Sequence, residues 1–157
     1  MDTFIFDHVR TPRGRGKADG GLHEVTPVWL ASRPLVALAE RNALRGPAVE
    51  DVVMGCVGPV GEQGGNIARI AVLAADWDQG VPGISIDRAC GSGLEAVAMA
   101  AAKVMSGQAG LAVGAGVESM SRVPMGSSGG AWAQDPQMAA KTYFVMQGIS
   151  ADLLASL

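Results

Sequence analysis

A chain of 157 residues, 48% of them hydrophobic, is long enough for one ordinary globular domain and too short for two full ones. Twelve basic against fifteen acidic side chains leave a formal charge of −3, and only 17% of residues are charged, so no strong field points to nucleic acid or an anionic membrane. The opening Met1-Asp2-Thr3-Phe4-Ile5-Phe6-Asp7 lacks the basic and long apolar regions of a signal peptide, and no apolar run reaches transmembrane length. Cys56 and Cys90 lie far apart with no Cys-x-x-Cys spacing, and His8 and His23 are the only histidines. Neither a disulfide framework nor a metal site is signalled, and the expectation is an intracellular, cytoplasmic protein acting on small molecules.

Residues 3–9 read as a first strand. Thr26 and Pro27, as N-cap and first helical residue, open a helix that should run to about Asn42 with Val28, Ala31, Leu35 and Leu38 facing inward; Pro34 in its interior predicts a kink. Asp51 to Val57 is a short β-branched run and reads as a second strand, followed by a Gly-rich loop over 58–65. Asn66 can cap a helix over 67–75, and Pro82-Gly83 introduces a third strand, Ile84-Ser85-Ile86-Asp87. Ser92-Gly93-Leu94-Glu95 matches a capping box. The helix behind it carries only Glu95 and Lys103 as charges before Gly107 stops it, so it is expected to be buried nearly all round. A fourth strand at about 110–117 leads into Gly- and Ser-rich residues 121–130. Strand and helix alternating in this way argue for an α/β fold with a parallel sheet. Asp135-Pro136 can start a short helix to about Phe144, and Ser150 can cap another that reaches Leu157, where the sequence looks cut within an element.

Cys90 follows a strand and precedes a helix, the position where ligands and reactive groups gather in open α/β sheets. The N–H groups of a helix N-terminus favour a thiolate and can hold the oxyanion of a tetrahedral intermediate. Gly91 and Gly93 leave the approach to the sulfur uncrowded. A lone Cys can also be a small packing residue, which is the reading for Cys56 in the middle of an apolar strand. Arg13-Gly14-Arg15-Gly16-Lys17 lacks the Gly-Lys-Ser/Thr of a phosphate loop and reads as a solvated turn. Nothing in the sequence places His8 or His23 near Cys90, and Glu118 reads as a structural hydrogen-bonding carboxylate rather than a general base.

The segment Asp87-Arg88-Ala89-Cys90-Gly91-Ser92-Gly93-Leu94-Glu95-Ala96 resembles the active-site segment of thiolases, Asn-Arg-x-Cys-(Ser/Ala/Gly)-Ser-Gly followed by a buried Ala-rich helix. It is joined at thiolase-like distances by three further segments. These are Val9-Arg10-Thr11-Pro12-Arg13-Gly14, then Gly61-Glu62-Gln63-Gly64 with Asn66-Ile67-Ala68-Arg69, then Gly116-Val117-Glu118-Ser119-Met120-Ser121. The resemblance implies a thiolase-like N-terminal αβα half with a mainly parallel sheet and a buried central helix over residues 1–120. Residues 121–157 would begin the loop domain that in thiolases covers the coenzyme A site. It further implies that Cys90 is the nucleophile of an acyl-CoA acyltransferase, holding an acyl group as a thioester during thiolysis of a 3-ketoacyl-CoA or the reverse Claisen condensation. Coenzyme A is then a cosubstrate, with no metal or redox cofactor. The His residues and second Cys that thiolases also use come from beyond this region, so the chain alone is expected to be inactive.

The implied partners are acyl-CoA and CoA, together with a second copy in a homo-oligomer or a complementing C-terminal thiolase half. Asp87 stands where thiolases have Asn and, if ionised, would oppose a Cys90 thiolate. Met146-Gln147-Gly148-Ile149-Ser150 replaces a His-Met-Gly-type stretch, so no CoA-binding residue is assigned. A ketoacyl synthase is disfavoured by Glu118-Ser119-Met120-Ser121 and Arg10-Thr11-Pro12. The alternative from another class is a truncated or decayed, non-catalytic protein that binds acyl-CoA or serves as a subunit.

Overall fold

The computed structural model describes residues 2–45, 47–142 and 144–157. The chain falls into two compact units, one ending at Ser127 and the other spanning Ser128–Leu157. In the first, Thr26 is extended and its Oγ1 accepts the Trp29 N–H at 3.2 Å, so that Pro27 begins α1 (Pro27–Asn42) without wasting a donor. The helix is continuous through Pro34, which has no N–H to return to the preceding turn. Ala31, Ser32 and Leu35 form its buried face, with Val28 and Leu38 half-buried beside them.

Three strands make a parallel sheet in the order β2-β1-β3: β1 (Asp51–Gly55) lies between β2 (Gly83–Ile86) and β3 (Ala112–Gly116). Its central place explains why Val52-Val53-Met54 is a continuous apolar run rather than an alternating one, since both faces are covered. Val52 and Met54 pack with Leu35, Ile67, Ala71 and Val72, from α1 and α2 (Ile67–Ala74). Val53 points the other way, to Ala96 and Ala100 of α3 (Ser92–Met105). The first unit is therefore a helix–sheet–helix sandwich, as expected for the αβα half.

Glycine sets how close α3 comes. A Cβ at Gly55 would overlap the Ser92 backbone, and one at Gly114 the Val97 backbone, so the helix lies directly on the strands and only glycine fits beneath it. Asn66 takes up a left-handed conformation (φ 63°) to cap α2, its side chain accepting the Arg69 N–H and donating to the Gly83 carbonyl.

Several expectations need correction. Residues 3–9 form no strand and join no ladder. They are tied by side chains instead, Asp7 accepting from Asn42 at 2.8 Å and pairing with Arg41 at 2.9 Å. Phe4, Ile5 and Phe6 stand 70%, 79% and 82% exposed, so their apolar character is left uncovered among the described residues. The helix after Cys90 is not buried nearly all round: Ser92, Ala96 and Ala100 face the sheet, while Leu94, Val97 and Met105 are exposed, because the chain lays a sheet against only one side of it. Its capping box does not form. Gly91 is the N-cap, with no side-chain bond, and Ser92 is already inside the first turn. Finally, the last helix begins at Gln147 rather than after Ser150 and has no side-chain cap.

Among its described residues the second unit holds three helices: α4 (Ala131–Gln134), α5 (Pro136–Lys141) and α6 (Gln147–Ala155). Asp135 caps α5 as expected, its Oδ1 accepting the N–H groups of Gln137 and Met138, and Trp132 stacks on Phe144 at 5.3 Å. The helix ends at Lys141 rather than Phe144, since Thr142 is extended; Tyr143 lies outside the described residues. None of these helices has a buried residue, and among the described residues no helix is long and apolar enough to cross a membrane.

Candidate active site

Because all three strands are parallel, the loops leaving β1, β2 and β3 emerge along one edge of the sheet. Cys90 sits in the loop of five residues that runs from the end of β2 into α3. The turn is tightly determined. Asp87 Oδ1 accepts the Ala89 N–H at 2.7 Å, and the N–H groups of Gly91 and Ser92 return to the carbonyls of Arg88 and Ala89, each at 3.0 Å. Ala89 is left-handed (φ 45°), a conformation that costs a residue with a Cβ about 1–2 kcal/mol. Arg88 Nε pairs with Glu95 Oε2 at 3.2 Å across the start of α3.

The outcome of this geometry is an exposed Cys90 thiol. The helix terminus is less generous than expected, since the Gly91 and Ser92 N–H groups are used inside the turn. Those of Cys90, Gly93 and Leu94 have no acceptor among the described residues, and the space beside Gly93 is open. A carbonyl oxygen approaching the sulfur can find donors there. Asp87, the departure from the thiolase pattern, gives its carboxylate oxygen to a backbone N–H, a bond that the oxygen of Asn can also make.

Cys56 is the opposite case. It is 1% exposed, and burial, with the Glu118 carboxylate as a second cause, pushes its thiol up to about 11. Glu118 is a structural carboxylate: Oε2 accepts the Val57 N–H at 2.7 Å, and Oε1 accepts the Gly58 N–H at 3.2 Å and Gln63 Nε2 at 2.8 Å. Gln63 is fully buried, donates also to the Gly58 carbonyl at 2.8 Å and accepts the Ser119 N–H. The Gly61–Gly64 and Gly116–Ser121 motifs are thus brought together by one Gln–Glu clamp at the carboxyl ends of β1 and β3.

Next to the clamp, Arg122 makes a two-pronged bond to Glu62, at 2.7 and 2.9 Å, and donates to the His23 carbonyl at 2.8 Å. The hydrogen bond between Arg122 and Glu62 holds the Glu62 carboxyl below its usual range and raises the guanidinium. Arg122 and the Ser92 hydroxyl escape a reading of the sequence. Arg122 acts across sixty residues, and Ser92 was hidden by its match to a cap. Among the described residues no hydrogen bond joins His8 or His23 to Cys90: the His8 N–H donates to Asp7, and the His23 carbonyl serves Arg122. Residues 13–17 form an exposed turn with an Arg15–Asp19 pair at 3.0 Å, as expected of a solvated loop.

A family model described as the thiolase N-terminal domain matches residues 3–153. Among curated proteins, a steroid 3-ketoacyl-CoA thiolase of Mycobacterium tuberculosis is 41% identical over 128 residues, covering 81% of this chain and 31% of that protein. A beta-ketoadipyl-CoA thiolase of Acinetobacter baylyi is 43% identical over 132 residues, covering 82% and 32%. Among solved structures, the acetyl-CoA acetyltransferase of Bacillus anthracis superposes with a TM-score of 0.63 at 36% identity, over 67% of this chain and 26% of that one. The chain spans about a third of the length of the curated relatives it matches. With the helix–sheet–helix sandwich, the Cys90 turn and the paired Gly61 and Gly116 motifs in place, the chain belongs to the thiolase family and carries its N-terminal domain.

Proposed function

We propose that the chain is the nucleophile-bearing part of an acyl-CoA C-acyltransferase and that Cys90 carries the acyl group. The observation behind this reading is the exposed thiol on a tied turn at the start of α3, in the segment that resembles the thiolase active site. In the thiolysis direction the Cys90 thiolate adds to the keto carbonyl of a 3-ketoacyl-CoA, and the oxyanion is met by unpaired N–H groups among Cys90, Gly93 and Leu94. The carbon–carbon bond breaks, its electron pair leaves on the acetyl-CoA enolate, and that carbon takes a proton. The acyl group stays on sulfur as a thioester until the thiol of free CoA attacks and releases Cys90. Residues 1–120 serve as the thiolase N-terminal domain and 121–157 as the start of the loop domain over the CoA site.

The proton donor for the enolate is taken to come from another segment: among the described residues no hydrogen bond ties a histidine to the turn, and the carboxylate bonded into it, Asp87, is occupied with the Ala89 N–H. The bare outer face of α3 and the exposed Ile84 on edge strand β2 support a covering layer from a C-terminal thiolase half or from another copy in a homo-oligomer. The non-catalytic alternative draws no support from Asp87, whose bond to Ala89 an Asn oxygen equally provides.

Two measurements test the reading. Incubation with acetyl-CoA followed by intact mass spectrometry should show one acetyl group on the wild-type chain and none on Cys90→Ser; acetylation that persists in Cys90→Ser removes Cys90 as the acceptor. Acetoacetyl-CoA thiolysis, followed by loss of enolate absorbance, should be undetectable for the chain alone and appear with a complementing C-terminal half. Robust turnover by the chain alone refutes the missing-donor argument.

A further inference from the structure

The loop that presents Cys90 contains a left-handed alanine, which needs an outside restraint to persist, and the structure supplies one in a side chain that does not touch the sulfur. Ser92 is 3% exposed, wedged where α3 meets Gly55. Its Oγ accepts the Arg88 N–H at 2.8 Å and donates to the Ala89 carbonyl at 2.6 Å, while the Asp87 oxygen at 3.4 Å is too distant to compete for the single hydroxyl proton. The Ala89 carbonyl therefore receives both the N–H and the O–H of Ser92. With the Asp87 bond to the Ala89 N–H, the two residues ahead of Cys90 have three of their four backbone polar groups held by side chains. The fourth, the Arg88 carbonyl, is taken by the Gly91 N–H.

We propose that Ser92 is a positioning residue for Cys90, holding the 88–90 turn so that the sulfur and the free N–H groups at the start of α3 address the same carbonyl. This rests on the reading of Cys90 as an acyl acceptor. Removing the hydroxyl leaves the Arg88 N–H unpaired and the Ala89 carbonyl with one donor fewer, so the left-handed residue relaxes and the sulfur moves relative to those donors. The effect differs between two reactions of the same thiol. Alkylation by iodoacetamide asks only for an exposed sulfur. Attack on an ester or thioester carbonyl asks for sulfur and oxyanion donors in fixed relation.

The experiment uses the full chain as wild type, Ser92→Ala and Ser92→Thr. The probe is p-nitrophenyl acetate, which needs no CoA pocket: Cys90 forms the carbon–sulfur bond, p-nitrophenolate leaves with the electron pair, and the thiol proton passes to solvent. Iodoacetamide is run in parallel, and Cys56 labelling serves as the fold control. In Ser92→Ala, acetylation of Cys90 should fall about tenfold and alkylation by no more than about twofold, the loss expected when a preorganised geometry rather than access is removed. Ser92→Thr, which keeps the hydroxyl, should stay close to wild type in both. Equal changes in the two reactions, no change in either, or equal slowing in Ser92→Ala and Ser92→Thr overturns the proposal. Cys56 becoming labelled in Ser92→Ala overturns it too, by making the hydroxyl a support of the whole fold. Wild-type chain acetylated by the ester but not by acetyl-CoA instead strikes at the acyl-CoA reading and leaves the comparison of variants intact.

Discussion

The two cysteines are the same residue in opposite surroundings. Cys56 lies in the core with a carboxylate near it, whereas Cys90 is open to solvent on its turn. Brief iodoacetamide treatment of the folded chain at pH 8 should therefore label Cys90, with Cys56 both inaccessible and only about one part in a thousand ionised at a value near 11. Preferential labelling of Cys56 would contradict the fold as well as the site. The suppressed ionisation of this buried thiol also links to stability. The protonated thiol is favoured in the folded state, so its contribution is complete below the unfolded value of 9.0 and is lost as pH rises through about 11. Urea denaturation should show stability declining across that window, and less steeply in Cys56→Ala. At position 87, Asp87→Asn should keep the bond to the Ala89 N–H, leave stability within about 0.5 kcal/mol and, with the turn unchanged, leave alkylation of Cys90 near the wild-type rate. Slower alkylation in that variant would show that the charge assists the turn.

At the level of elements, the carboxyl end of the sheet is held by the Gln63–Glu118 clamp rather than by strand pairing alone. Gln63 is the costly member to lose, because it is fully buried and satisfies the N–H of the nearly buried Ser119. Gln63→Leu should destabilise the chain by about 2 kcal/mol, read as a lower urea midpoint with an unchanged slope, since the buried Ser119 N–H is left unpaired and the Glu118 carboxylate and Gly58 carbonyl each lose a donor. A shift within experimental error would mean that water replaces the amide. The contact between α3 and the sheet is equally demanding. Local signals placed α1, α2 and α5 well because caps act over three or four residues: Thr26, Asn66 and Asp135 all bond the N–H groups that their positions implied. The same kind of signal misled at Ser92, where the hydroxyl serves the turn before the helix instead of the helix itself.

On the scale of the whole molecule, the unfinished feature is the apolar surface on the outer side of α3. Leu94 is 79% exposed and Val97 41%, on a helix whose other face is packed on glycine. Surface of this kind drives association in water. Sedimentation velocity should show concentration-dependent association of the wild-type chain, reduced when Leu94 and Val97 are both replaced by Glu, with helix content unchanged. A monodisperse wild-type monomer across the same concentrations would remove this face as a site of assembly.

The amino-acid sequence by itself determined the short-range structure: where α1, α2 and α5 start, that the strands are parallel, and which cysteine lies just ahead of a helix. Each of these is carried by neighbouring residues through capping, periodicity or a backbone restriction, so it is legible without the fold. The motif around Cys90 likewise pointed to the thiolase family before any geometry was known. Only the tertiary structure decided that residues 3–9 lie outside the sheet, that the helix behind Cys90 is covered on one side, and that the Ser92 hydroxyl ties the turn at Ala89. It alone paired Gln63 with Glu118, fifty-five residues away, and Glu62 with Arg122, sixty away. Such contacts depend on which surfaces meet after the chain has closed long loops, and no local pattern encodes a partner at that distance.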